Sequence, residues 1–143
     1  MPNEMKLPFE VELDFSVRTY DIDFAGIVSN IVYIRWLEDL RLTILEEYYP
    51  LENFLSKGLV PTLVETHIKY IRPITIADQP HAHMWIGRMT KLKLVFSAEF
   101  NINGEITTSS EQLGCLVDVS NGRPAPIPDD LYSEYQKYES VNQ

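Results

Sequence analysis

The sequence predicts an α+β fold in which one antiparallel sheet wraps around a long central helix. Two patterns carry that expectation. The stretch from Ile31 to Tyr49 is apolar over much of its circumference at helical spacing, and nearly everything after Pro50 alternates with period two, interrupted by Gly, Pro and Asn. Length sets the scale: 143 residues make a single domain, of a size that buries about 70% of its unfolded surface and needs no metal or disulfide to hold it. The core is expected over about 9–132, with a C-terminal tail at 133–143.

The elements follow in chain order. Between 9 and 20, Val11, Leu13, Phe15 and Val17 fall on one side and Glu10, Glu12, Asp14, Ser16 and Arg18 on the other, the pattern of a half-buried strand. A turn-rich DIDFAGIVSN comes next. In IVYIRWLEDLRLTILEEYY, Ile34, Leu37, Leu40, Ile44 and Leu45 recur at helical spacing, while Ile31, Val32, Tyr33, Trp36 and Leu42 are apolar elsewhere around the axis. Such a helix needs a sheet around it, or a sheet plus a partner subunit. Ser29 is placed to cap its start and Pro50 limits its end. Four more strands are expected at about 60–72, 80–89, 91–102 and 106–119, with Asn101–Gly104 as a hairpin turn between the last two. Pro73 and Asp78 bracket an earlier turn, and GRPAPIPDDL reads as a Pro-rich exit into a short polar helix or frayed tail.

Composition narrows the function. With 12 Lys plus Arg against 21 Asp plus Glu, the net charge is −9; a chain that repels phosphate overall is a poor nucleic-acid binder, and an anionic ligand needs a local basic patch. Cys115 is the sole cysteine, which excludes an internal disulfide and any CxxC motif. The N-terminal MPNEMKLPFEVELDF lacks the pattern of a secretory signal, and no apolar run approaches a membrane span, so a soluble cytoplasmic protein without membrane partners is expected.

The densest chemistry lies where the first strand meets the long helix: Asp21, Asp23, Gly26 and Asn30, with Tyr33 and Glu38 further on. The segment YDIDFAGIVSNIVYIRWLEDLR resembles the DxDxxGxVxNxxYxxxxE pattern of hotdog-fold acyl-CoA thioesterases, in particular the 4-hydroxybenzoyl-CoA thioesterase-like group and its acyl-ACP thioesterase relatives. The closing VDVSNGRPAPIPDDL is similar to that family's last strand and exit loop. The resemblance implies a hotdog fold, hydrolysis of an acyl-CoA or acyl-ACP thioester without a cofactor, and a homodimer or homotetramer whose sites form between subunits. It implies that Asp23 is the catalytic carboxylate, as nucleophile on the thioester carbonyl or as general base for water. Many members carry His directly after the Gly and Asn two residues beyond it; Ile27 and Ser29 stand there, while Asn30 is retained.

The chemistry is coherent from below. Thioester hydrolysis puts negative charge on a carbonyl oxygen, and unpaired N–H groups at a helix start near Asn30 can stabilise it. Gly26 lets substrate approach the backbone, and Asp23 stands just upstream to attack or deprotonate. The plainer reading is that Asp21 and Asp23 form Asx turns and that Ser29 and Asn30 cap a helix. Glu38 either reaches the site or pairs with Arg35 or Arg41, and the ion pair or a solvated role is favoured.

Arg88, Lys91 and Lys93 cluster at the turn between the expected third and fourth strands. The resemblance assigns coenzyme A phosphates to such a patch, with Arg72 and Arg123 as alternates; a solvated hairpin is the other reading. His81 and His83 share a strand face but have no third ligand at matching spacing, so surface or interface histidines are preferred over a metal site. Two other functions remain open: an acyl-CoA binding module independent of Asp23, and a hotdog hydratase, for which Ile27 stands where a His would serve.

Overall fold

A computed structural model describes residues 7–141. Strand β1 (Val11–Asp14) leads through a 3-10 turn at Thr19–Asp21 to helix α1 (Asn30–Tyr48) and helix α2 (Leu51–Leu55). Strands β2 (Leu59–Tyr70), β3 (His81–Met89), β4 (Lys93–Ile102), β5 (Glu105–Asp118) and β6 (Pro124–Ala125) follow, then helix α3 (Asp129–Val141). The sheet runs in the order β1-β3-β4-β5-β2, antiparallel throughout. Strand β6 takes over beside Leu116 and Val117 of β5, just beyond Cys115, opposite which β4 begins at Lys93. A sheet closed around α1 is the expected hotdog architecture.

Helix α1 buries Val32, Tyr33, Trp36, Leu37, Leu40 and Ile44 against the sheet. Leu37 and Leu40 are fully enclosed, each contributing about 1.5–3 kcal/mol by leaving water. Trp36 stacks on Phe15, their ring centroids 4.9 Å apart, and Phe100 packs beneath both. The apolar positions off this stripe divide: Ile31, Ile34 and Leu42 stay exposed, so the protomer alone surrounds only part of the helix.

Three expectations are corrected. The first strand ends at Asp14 rather than reaching residue 20; Phe15 still donates its N–H to Pro80, but the chain then bends into the 3-10 turn. Helix α2 replaces the expected direct passage into strand, because Pro50 restarts a helix that buries Phe54 against Tyr49. The segment read as a tail from 133 belongs to α3, whose Leu131 and Tyr135 are buried and whose Tyr138 packs on Phe9. Its aromatic residues recur at about one-turn spacing and bury a face that its mean polarity conceals. The Asn103-Gly104 turn is as expected, both residues having positive φ (52° and 84°), the two-residue hairpin geometry that matches strand twist.

Strand β2 lies at an edge of the sheet and is largely exposed. It pairs with β5 on one edge only, and Pro61 through His67 are exposed although they lie within a strand of 12 residues. Strand β2 runs antiparallel to α1. It starts next to α2, and it ends with Tyr70 edge-on to Tyr33, ring centroids 5.2 Å apart, at the helix start.

Candidate active site

The loop before α1 is built by the two aspartates. Asp21 is buried; its Oδ2 accepts the Arg18 N–H at 2.8 Å, closing the 3-10 turn, and its carbonyl accepts the Ser29 N–H at 2.8 Å. Asp23 is half-buried. Its N–H donates to the Ile27 carbonyl at 2.8 Å, its carbonyl accepts the Gly26 N–H at 3.0 Å, and its Oδ1 accepts the Ala25 N–H at 2.8 Å. Among the described residues its second carboxylate oxygen meets no protein donor. The Asx-turn reading therefore holds for one oxygen of Asp23 and leaves the other available.

Gly26 is required by its backbone. Its φ is +79°, a conformation L side chains rarely adopt, while a Cβ there would meet nothing within 4 Å. The expectation that glycine clears space is thus replaced by a conformational reason. Ser29 occupies the N-cap position without a side-chain cap bond. Its carbonyl accepts the Val32 N–H at 2.9 Å, and among the described residues the N–H groups of Asn30 and Ile31 have no partner. Two unpaired donors at the positive end of a 19-residue helix face the surface a few residues from Asp23. Phe24, Tyr20 and Ile31 surround the junction as exposed apolar side chains.

A cavity of about 410 Å³ lies elsewhere, between the second half of α1, α2 and the inner face of the sheet. Leu42, Leu45, Met89, Leu94, Phe96 and Leu116 are among its apolar walls, with Glu38 and Arg41 as its charged members. Glu38 is exposed and makes no ion pair among the described residues, so of the two favoured roles the solvated one is seen and the pairing with Arg35 or Arg41 is not. Arg41 instead donates from Nη1 to Gln112 Oε1 at 2.5 Å, and Gln112 Nε2 donates to Thr66 Oγ1 at 3.1 Å. Burial pulls the Arg41 guanidinium below the ordinary arginine pKa, and the nearby Glu38 charge opposes that shift. Gln112 was not singled out from the sequence, and Arg41 only as a possible partner of Glu38. The available signal was phase: Thr108, Ser110 and Gln112 are polar residues at the inward positions of an alternating strand.

Arg88, Lys91 and Lys93 are exposed together at the β3–β4 turn, where the Thr90 N–H bonds the Lys93 carbonyl and the Lys91 carbonyl accepts the Ile127 N–H. This turn is at the cavity end of the molecule, flanked by the cavity residues Met89 and Leu94, whereas the Asp23 loop lies at the start of α1. Of the alternates, Arg72 is committed to Glu105 at 2.7 Å. His81 bonds Asp14 at 2.7 Å and Glu12 at 3.4 Å, and His83 bonds Glu10 at 2.6 Å and Glu99 at 3.0 Å. Both imidazoles are thereby occupied by carboxylates across neighbouring strands. Among the described residues no helix is long and apolar enough to cross a membrane.

Comparisons agree with this architecture. A Bacillus subtilis (strain 168) protein with the provisional name acyl-CoA thioesterase YneP is 23% identical over 129 residues, 87% of this chain and 94% of its own. The DHNA-CoA thioesterase from Staphylococcus aureus superposes with a TM-score of 0.83 at 17% identity, covering 93% of both chains. The 12:0-ACP thioesterase from Umbellularia californica superposes at 0.79 with 18% identity, over 91% of this chain and 54% of that one. These structural likenesses establish the fold. The family model described as the thioesterase-like superfamily matches residues 17–134, which include the Asp23 loop, α1 and the whole sheet beyond β1, and the chain belongs to that superfamily.

Proposed function

We propose that the protein hydrolyses an acyl thioester carried on coenzyme A or acyl carrier protein, with Asp23 as nucleophile or general base. The observation that carries this reading is the junction itself: an unbonded carboxylate oxygen of Asp23 just upstream of two unpartnered N–H groups at Asn30 and Ile31. A tetrahedral intermediate needs a group to attack or deprotonate and donors to hold its oxyanion, and this junction supplies both. No cofactor enters the chemistry, and the cytoplasm is the compartment proposed for it.

The cavity and the basic turn lie at the other end of the protomer, and a second copy reconciles the two. Strand β2 has one open edge. If two copies pair antiparallel along it about Val64, the partner's Tyr70 end lies beside this protomer's Leu59 end. Each Asp23 loop then approaches the other protomer's cavity and basic turn. The pairing also covers the exposed Leu63 and Val64 and an edge that is otherwise open to adventitious strand addition. In this homodimer, or a tetramer built from it, Arg88, Lys91 and Lys93 take the coenzyme A phosphates.

The separation of Asp23 from the cavity within one protomer supports a second reading, an acyl-CoA binding module. A hydratase is disfavoured by Ile27 in the motif loop. The test is a screen of short, long and aromatic acyl-CoA and acyl-ACP thioesters for thiol release. Release that depends on Asp23 supports hydrolysis; binding without release supports the module.

A further inference from the structure

The cavity is largely apolar, yet one of its walls carries a guanidinium. Arg41 has five N–H donors, of which one is committed to Gln112, and among the described residues no carboxylate lies within ion-pair distance of it. The relay behind it is fixed: Gln112 is fully buried and its amide nitrogen is spent on Thr66, which turns Oε1 toward Arg41. A half-buried cation without an ion-pair partner is costly in an apolar setting unless an anion completes it. Glu38 lines the same cavity but is exposed and outside ion-pair range of Arg41, so it does not take up the guanidinium's N–H donors.

We propose that Arg41 recognises a carboxylate at the far end of the acyl group, so that the cavity selects dicarboxylic acyl thioesters over plain alkyl ones. The proposal rests on the thioesterase reading and names the substrate class of that site. The methylene chain lies along Leu42, Leu45, Met89 and Phe96, and the terminal carboxylate takes the paired N–H groups of the guanidinium, a geometry that Lys cannot reproduce in full. A cavity of about 410 Å³ is within the range that holds a small ligand.

The test measures binding apart from hydrolysis. Calorimetry compares an S-octyl thioether of coenzyme A with its omega-carboxy counterpart, neither of which can be hydrolysed. The wild-type protein should bind the carboxy form at least about tenfold more tightly. That ratio should fall to one or below in Arg41→Met and persist, reduced, in Arg41→Lys. A wild-type ratio near or below one, or no binding of either probe, overturns the proposal, and the wild-type measurement decides it even where Arg41→Met does not fold. An unaltered ratio in Arg41→Met overturns the role of Arg41. Thiol release from the matching thioesters is scored separately, so that a ratio without hydrolysis counts against the thioesterase reading alone.

Discussion

Asp21 and Asp23 stand two residues apart and use their carboxylates differently. Asp21 is buried and holds the Arg18 N–H, while its carbonyl ties down the Ser29 N–H just before α1. Asp23 holds the Ala25 N–H with one oxygen and keeps the other unbonded. The first residue builds the junction and the second is presented by it.

Separate outcomes follow for the pair. Asp23→Asn should lower kcat by at least about a hundredfold with little loss of stability, because it removes a charge and keeps an acceptor. Asp21→Ala should cost about 1–3 kcal/mol of stability by leaving the Arg18 N–H without its acceptor. Asp21→Asn, which retains an acceptor, should have only a modest effect on turnover. Steady-state kinetics and urea denaturation of the three variants read these effects; near-normal turnover in Asp23→Asn would contradict the proposed role.

The open edge of β2 predicts the assembly. Val64 is 58% exposed at the middle of this strand, where the β5 register is interrupted. Val64→Lys places like charges opposite each other in a two-fold strand pair and should weaken dimerisation at least about tenfold. Sedimentation should show wild-type dimers or larger and a shift to monomer in the variant, with activity falling in parallel because the proposed site draws on both copies. A wild-type monomer at micromolar concentration would refute the composite site.

The basic turn predicts a split between binding and turnover. Replacing Arg88, Lys91 and Lys93 together by Ala should raise KM for coenzyme A thioesters several-fold and lower kcat less, because remote phosphate contacts hold ground and transition states alike. The effect should shrink as salt is added. An unaltered KM would move the phosphate site, with Arg123 the next residue to replace.

His81 predicts a pH-dependent contribution to stability. Its hydrogen bond to Asp14 is the main influence raising its pKa, burial opposes it, and Glu12 adds to the rise. A folded-state pKa above the unfolded one means that the protonated form stabilises the fold. That contribution is complete below the unfolded value of about 6.5 and disappears as pH rises through the folded value. Denaturation midpoints should therefore favour wild type over His81→Gln at about pH 5.5 and converge near pH 8.5. An equal gap at both pH values would show that the ion pair is not what His81 contributes.

The sequence by itself determined the local elements and the position of the junction. Period-two alternation and the helical recurrence at Leu37, Leu40 and Ile44 are one-dimensional records of which side chains meet the core, and the Asn103-Gly104 turn is written in residues that accept positive φ. The DxDxxG pattern marked the loop before α1 for the same reason, since turn, glycine and helix start are consecutive in the chain. The tertiary structure alone decided how the two aspartates divide their roles, because burial of Asp21 depends on what packs over it. It also decided that Arg41 of α1 meets Gln112, which strand register in turn sets opposite Thr66. Helix α2 was missed because five residues are too few to show a helical period, while α3, read as a short polar helix or a frayed tail, buries an aromatic face that its overall polarity conceals. Local propensity is legible in neighbours along the chain; the sharing of a cavity by distant residues is set by packing, which no single stretch of sequence records.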